Sequence, residues 1–399
     1  MIRTVVVVAG ALLATAAMPS MGASATGATP ASVAAPAAVR ASLRHELNGY
    51  LRSYGSEEHI SAVSLAVTSS GGRPGIGLTA GTTRYGAGRA VPPSALWQIG
   101  SNTKAFTSVL MLQLEAEHKL SIDDTLGTWL PQYPAWSGVT IEQLLNMTSG
   151  IPNYTGSVTF WSDLGAAPNR KFSAAELVAY AIPMPATKGY SYSNTNYVLA
   201  QMIVERASGE SYATRLREKI VEPLGLQNTF YSAHDYAPAV TGRMAAGYFW
   251  VKELPMMSSQ LGKDQRRNSI SWAQGAGAIV SSLQDLGRWD HALFTGQELP
   301  KRQQRELTSL VSAATGEPIT KTSLSDPAGY GLGVNQVTSK ALGTVWYYEG
   351  ETDGYRVVNL YAPKSGTTIA IGVNSTTLDD NTGTLATSVY VTLHEAGLA

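Results

Sequence analysis

Cysteine is missing from all 399 residues. That excludes disulfides, thiolate zinc sites, a cysteine nucleophile and a lipidated N-terminal cysteine. An excess of charge is missing too: Lys plus Arg and Asp plus Glu number 29 each. With no basic stripe and no block of like charge, nucleic acid and anionic membrane are poor partners. Histidine is sparse and scattered, at His45, His59, His118, His234, His291 and His394, and H-E-x-x-H does not occur. No metal and no cofactor is therefore expected. G-x-S-x-G is absent, against an α/β-hydrolase triad. "GIGLTAG" is a broken glycine motif in a hairpin context and offers no nucleotide site. No internal repeat of solenoid or propeller length is visible.

What is present begins with a targeting pattern. Arg3 precedes the apolar stretch "VVVVAGALLATAAM", and "ASA" at 23–25 offers small residues for cleavage. Residues 1–25 read as a signal peptide, so an exported protein, periplasmic or extracellular, with no stable membrane anchor after cleavage is expected. The Ala/Pro/Thr/Ser tract at 26–40 reads as a flexible leader. From 41 the chain reads as folded. Leu43, Leu47 and Leu51 recur at spacing four, so an amphipathic helix. "SAVSLAVTSS" and "GIGLTAGTTRYG" read as a hairpin. The middle is helical in pattern. Beyond 328, "GYGLGVNQV", "GTVWYYEG", "YRVVNLYAP" and "GTTIAIGVN" read as four strands, and a last helix closes the chain. Strands at both ends with helices between predict an α/β fold of the α+β type. An antiparallel sheet (about 41–98 and 275–399) is flanked by helices and carries an inserted helical part (about 99–274).

"WQIGSNTKAF", 97–106, carries the first chemical signal. Ser101 and Lys104 share one face if the apolar run that follows is a helix starting at Ser101. First-turn N–H groups are unpaired within a helix and can hold an oxyanion. Apolar neighbours push the lysine toward a neutral amine, and an amine beside a hydroxyl is a base beside a nucleophile. The bland alternative is a serine cap with a snorkelling lysine. No second S-x-x-K exists in the chain. In "YSYSNTNY", Tyr192 and Asn194 stand one residue apart, so in an extended loop both face one side. Tyr192 supplies a hydroxyl for proton relay; Asn194 can orient a substrate carbonyl or hold the lysine. The alternative is a polar turn before the next helix.

Six stretches now stand in order: "IGSNTKAFTSVLMLQLEAEHKLSIDDTL", "TIEQLLNMTSGIPNY", "YSYSNTNYVLAQMIVERASGESY", "EPLGLQNTFY", "GAGAIVSSLQDLGRW" and "YGLGV". Together, over about 45–375, they resemble the penicillin-recognising serine hydrolases. That family includes D-alanyl-D-alanine carboxypeptidases, class C β-lactamases, D-aminopeptidases and related esterases. The resemblance implies a β-lactamase/transpeptidase-like fold with a cleft between sheet domain and helical domain. It implies Ser101 as acylated nucleophile, Lys104 as its partner, Tyr192 as base or proton shuttle and Asn194 on the substrate amide. In such sites a strand with His or Lys, any residue, then Gly lines the cleft. The matching stretch is "YYEGETDGYRV", with Gly350 in place and Tyr348 where the cation is expected. The oxyanion hole would use the N–H groups of Ser101 and Glu351. Glu349 and Glu351 fall opposite Tyr348 under strict alternation, but a break at Gly350 would turn Glu351 back toward the cleft. Arg356 is expected on a different strand segment.

Glu142 to Asn146 reads E-x-x-L-N, a deacylation motif elsewhere. Here it precedes Tyr192, so packing and loop structure are expected of it. Trp97, Tyr154, Phe160, Trp161 and Trp346 are candidates for a pocket wall or for core. The expected activity is that of an S-x-x-K serine hydrolase forming an acyl-enzyme from an amide or ester, with a small-molecule or peptide substrate and weak action on β-lactams. A D-Ala-D-Ala carboxypeptidase or class C β-lactamase is the alternative within the class. A non-catalytic penicillin-binding or sensor protein is the alternative outside it. Oligomeric state is not legible.

Overall fold

The computed structural model of the protein describes residues 36–399. The expected signal peptide and most of the expected leader lie outside the described residues. The first helix, α1 (Ala37–Tyr54), begins within the stretch read as leader. Pro36 stands just before it with its ring fixing φ near the helical value, and Leu43, Leu47 and Tyr50 form its buried face.

Three strands follow as a meander: β1 (Ala62–Thr68), β2 (Pro74–Arg84) and β3 (Ala87–Ala90). β4 (Leu96–Gln98) leads into the helical region, whose long members are α2 (Thr103–Ala116) and α3 (Asn194–Ser208). β5 (Thr229–Tyr231), β6 (Ile279–Ser282) and α4 (Leu283–Phe294) return the chain to the sheet. There it lays down β7 (Leu310–Ser312), β8 (Pro318–Ile319), β9 (Ala328–Tyr330), β10 (Asn335–Ser339), β11 (Gly343–Thr352), β12 (Tyr355–Ala362) and β13 (Thr367–Val373). α5 (Thr382–Glu395) closes. The ten-stranded sheet runs β3-β2-β1-β13-β12-β11-β10-β9-β7-β8 and is antiparallel throughout.

Period-two alternation sorts the two faces of the sheet. Val63, Leu65 and Val67 of β1 pack with Leu43, Leu47, Val389 and Leu393 of α1 and α5. Ala62 and Ala66 belong to the other core, with Trp97, Phe106 and Trp289. Burial on both faces explains why the inner strands read as unbroken apolar runs. Two features depart from the expected borders. "GYGLGVNQV" is two strands, β9 and β10, interrupted by a Gly331–Gly333 turn. A small sheet, β4-β6-β5, straddles the expected limits of the helical part, since β5 lies within it and pairs with β6 outside it.

The sheet's outer face carries one buried ionic cluster. Arg356 of β12 donates to Glu58 Oε2 at 2.6 Å, to Asp380 Oδ1 at 2.5 Å and to the Ser375 carbonyl at 2.8 Å. Arg356 and Glu58 are each only 1% exposed. A guanidinium withdrawn from water keeps its charge only with such a full set of acceptors.

Candidate active site

β4 delivers the chain to a single 3₁₀ turn, Gly100–Asn102, and α2 starts at Thr103. Ser101 thus sits in the turn ahead of the helix and not in the helix itself. Gly100 adopts φ +51°, a left-handed conformation that favours glycine. It also has no room for a side chain: a Cβ there would stand 2.4 Å from the Glu351 nitrogen. Gly350 is the reciprocal case, since its Cβ would stand 1.9 Å from the Ile99 carbonyl oxygen. Two glycines therefore let the serine turn and β11 touch backbone to backbone. Asn102 locks the contact, its Nδ2 donating to the carbonyls of Ile99 and Val357 at 2.7 and 3.0 Å. Gly350→Ala is accordingly expected to lower kcat by about 10²–10³ with KM little changed, if the displaced strand carries the oxyanion donor that the resemblance implies. Steady-state kinetics on an activated ester checks this; an unchanged kcat would show that turn and strand need not touch.

α2 is buried on nearly every side, as a helix central to a core must be. Phe106 stacks on Trp289 of α4 at 3.8 Å. Lys104 is fully buried within this helix. Its Nζ lies 2.8 Å from Asn194 Oδ1, 2.7 Å from the Ala276 carbonyl and 2.9 Å from Ser101 Oγ. No carboxylate pairs with it, and burial holds its pKa well below the usual lysine range. A neutral amine has two N–H bonds and one lone pair. Asn194 Oδ1 and the Ala276 carbonyl take the two N–H bonds, which leaves the lone pair for the Ser101 hydroxyl proton. On the other side of Ser101, Tyr192 donates its O–H to Oγ at 2.7 Å. Burial pushes Tyr192 up to about 12. The serine thus lies between an amine whose charged form burial disfavours and a phenol that burial holds to its proton.

Asn194 opens α3, and its Nδ2 reaches Thr155 Oγ1 at 3.3 Å. Of the two tasks open to it, the amide oxygen performs lysine holding. Tyr348 lies on β11, and its hydroxyl is 2.6 Å from that of Tyr330 on β9. β11 does not break at Gly350: its register with β12 is continuous from Trp346 to Thr352. Glu349 and Glu351 therefore keep to the face opposite Tyr348, and Glu349 accepts from Thr382 of α5 at 3.1 Å. The break that would have turned Glu351 back is absent, because β12 pairs with every residue across the glycine. Arg356 does lie on a different strand, β12, directly across the ladder from Glu351. Its guanidinium is nevertheless taken by Glu58 and Asp380. Burial pushes Glu351 up to about 8 and Asp353, in the turn that follows, up to about 7.

Asn146 Oδ1 accepts from the Thr148 backbone and hydroxyl, a local turn in keeping with a loop-building role for E-x-x-L-N. Trp97, Tyr154 and Phe160 are core residues at 0–1% exposure; Trp161 and Trp346 are only partly buried. Sequence reasoning gave no role to Tyr330 or to the Ala276 carbonyl. "YGLGV" and "GAGAIVSSLQDLGRW" marked both residues only as members of family blocks.

The Beta-lactamase family profile matches residues 47–391. Among curated proteins, "Penicillin-binding protein 4*" of Bacillus subtilis is 30% identical over 67% of this chain and 58% of its own length. "Unguisins hydrolase ungD'" of Aspergillus campestris is 27% identical over 82% of this chain and 60% of its own length. The chain thus spans about three-fifths of these two relatives. Among solved structures, a D-stereospecific amidohydrolase from Streptomyces sp. superposes with TM-score 0.70 at 26% identity, covering 84% of this chain and 94% of that one. The D-amino acid amidase of Ochrobactrum anthropi SV3 superposes with TM-score 0.76 at 21% identity, covering 90% and 100%, and bears on the fold alone.

Proposed function

The chain belongs to the Beta-lactamase family and is a serine hydrolase, and on that premise we propose that Ser101 is the nucleophile of an acyl-enzyme mechanism acting on amides or esters. The observation that carries this is the placement of Ser101 Oγ between Lys104 Nζ and Tyr192 Oη. Lys104 accepts the hydroxyl proton as Oγ attacks the carbonyl carbon. The N–H groups of Ser101 and Glu351, brought together by Gly100 and Gly350, receive the developing oxyanion. Tyr192 then gives its proton to the leaving nitrogen or oxygen. The proton on Lys104 then passes to Tyr192; a water molecule attacks the acyl carbon, gives up one proton, and Ser101 Oγ takes a proton as the C–Oγ bond breaks and the acid leaves.

Charge supports a narrower reading. Arg356 is engaged on the outer face, Tyr348 stands where the resemblance leads one to expect a cation, and Glu351 lies on the face away from Tyr348 with its carboxyl pushed up to about 8 by burial. A substrate carboxylate would find neither an arginine nor a free ammonium to pair with in a partly desolvated site. Neutral esters, and amides or peptides with a free amine, are the substrates this balance favours over β-lactams and D-Ala-D-Ala peptides. The related Streptomyces amidohydrolase is in keeping with amide cleavage. The test is kcat/KM for two substrates that differ only in a free or an amidated terminal carboxylate. The amidated substrate should lead by about tenfold or more. A preference for the free carboxylate would restore carboxypeptidase as the better reading.

A further inference from the structure

Between the inner face of the sheet and helices α2 and α4 lies a cavity that acyl transfer at Ser101 does not use. Two periodicities build it. On α4, Asp290 and Phe294 stand four residues apart and so share one face. On the ladder of β11 with β12, Trp346 pairs with Tyr361 and Tyr348 with Asn359, and alternation puts all four side chains on one side. These residues line the cavity together with Asn102 from the serine turn. Counted out to its mouth it measures about 300 Å³, and its centre has room for a water-sized group and little more. Asp290 is 2% exposed and Asn102 3%, whereas Phe294 and Trp346 are only partly buried. The carboxyl thus stands at the closed end and the two rings at the open one. Phe294 lies face to face with Trp346 and with Tyr361, at 5.0 and 5.1 Å, so the throat is apolar.

The closed end is rich in acceptors. Asn359 Nδ2 donates to Asp290 Oδ1 at 2.9 Å and to Oδ2 at 2.8 Å. A carboxylate has about four lone-pair positions, so others stay open. Asn102 donates to the Ile99 and Val357 carbonyls through Nδ2, and its buried Oδ1 has no hydrogen-bond partner among the described residues. No lysine, arginine or histidine lines the cavity among the described residues. His291, the neighbour of Asp290 in sequence, packs instead against Gly72, where a Cβ would meet its ring at 2.7 Å. A carboxyl this far from water needs a proton or a cation.

We propose that this cavity binds the ammonium group of a primary amine carried on an unbranched alkyl stem. Its N–H bonds meet the Asp290 carboxylate and Asn102 Oδ1, and its stem leaves through the aromatic throat. The rings there favour methylenes over water and tolerate a cation near their faces. A divalent metal suits the site poorly, since it prefers a full shell of oxygens and finds one carboxylate. A quaternary ammonium is too bulky for the closed end and has no N–H to give. The proton count is simple. Burial holds Asp290 well above the usual carboxylate range, so the free cavity holds the acid and the occupied one holds the carboxylate beside the ammonium. One proton passes to solvent on binding, and affinity rises with pH until Asp290 ionises unaided or the amine loses its own charge. The other titratable groups on the cavity wall are the phenols of Tyr347, Tyr348 and Tyr361, which burial holds to their protons. None of this depends on Ser101 being acylated.

The experiment is a calorimetric titration of the protein with butylammonium at neutral pH. A Kd of about 1 mM or tighter is expected for so small a ligand. Butan-1-ol, which has the stem without the charge, and tetramethylammonium, which has the charge without N–H, should each bind at least about tenfold more weakly. Asp290→Asn keeps the shape and removes the charge, and should weaken butylammonium by roughly tenfold to a hundredfold, the worth of hydrogen bonds to a charged group. The binding enthalpy should differ between phosphate and Tris by the ionisation heat of about one proton. Nα-acetyl-lysine amide serves as a second probe: binding as tight as butylammonium assigns the site to a side chain, and weaker binding assigns it to a free amine. No heat from butylammonium, butanol binding equally well, or an unchanged affinity in Asp290→Asn would each overturn the proposal. If that variant does not fold, the parent protein decides, because binding without proton release places the amine away from Asp290.

Discussion

Ser101→Ala will take no label from a fluorophosphonate and will lose on the order of 10⁴–10⁶ in kcat, the range found when the nucleophile of a serine hydrolase is deleted. The parent protein will gain one adduct by intact mass, and peptide mapping will place it on Ser101. The expectation follows from the surroundings of that hydroxyl. It has an amine nitrogen at 2.9 Å, a phenol at 2.7 Å and a turn pressed against β11 by two glycines. The variant keeps the turn, because its φ belongs to Gly100 and its lock to Asn102. A thermal midpoint close to that of the parent will therefore accompany the loss. An adduct mapped to any other serine would discard the site.

Lys104→Ala and Tyr192→Phe will each lower acylation severely, by about 10²–10⁴, and together by far less than the product of the two. They handle the two ends of one proton transfer, so once either is gone the other has little left to do. The pH profile carries the same logic. Lys104 works as the free amine, so the rate rises with pH as the ammonium is titrated, well below the ordinary lysine range. Tyr192 works as the phenol, so the rate falls again only as pH approaches about 12. Lys104→Ala should abolish the acid limb. Near-normal acylation by that variant at neutral pH would reduce the lysine to a structural cation.

The parts of the site that lie close together in sequence were the parts legible in it. Ser101 and Lys104 are one helical turn apart, and Tyr192 and Asn194 alternate along one short segment. Apolar neighbours along 105–114 were enough to foresee a lysine whose charged form is disfavoured. The environment of Tyr348 was not legible, because its partner Tyr330 reaches it across the sheet, and no spacing encodes a contact between strands. The course of β11 through Gly350 was open for a related reason. A glycine read alone invites a break, and only the full ladder with β12 holds the strand straight. Likewise the border of the helical part dissolved at β5 and β6, because three short apolar segments from distant parts of the chain make one sheet. The outer limits of the fold were easier, since α1, the β1–β2 hairpin and α5 are each built from local pattern.

The order in which the chain is synthesised has a bearing on when it can react. A ribosome finishes Ser101, Lys104 and Tyr192 long before it reaches Gly350 and Glu351. Strand β1, meanwhile, has only β2 beside it until Thr367–Val373 has been made, for its inner neighbour is β13. Until then one flank of β1 is an apolar edge that invites wrong pairing. Contacts joining such distant segments also form slowly. The nascent chain thus carries a serine and a lysine with no strand to press them into shape and no second N–H to receive an oxyanion. On the proposed mechanism, chemical competence would arrive only with the C-terminal strands, and the unfinished chain would be inert toward esters and amides.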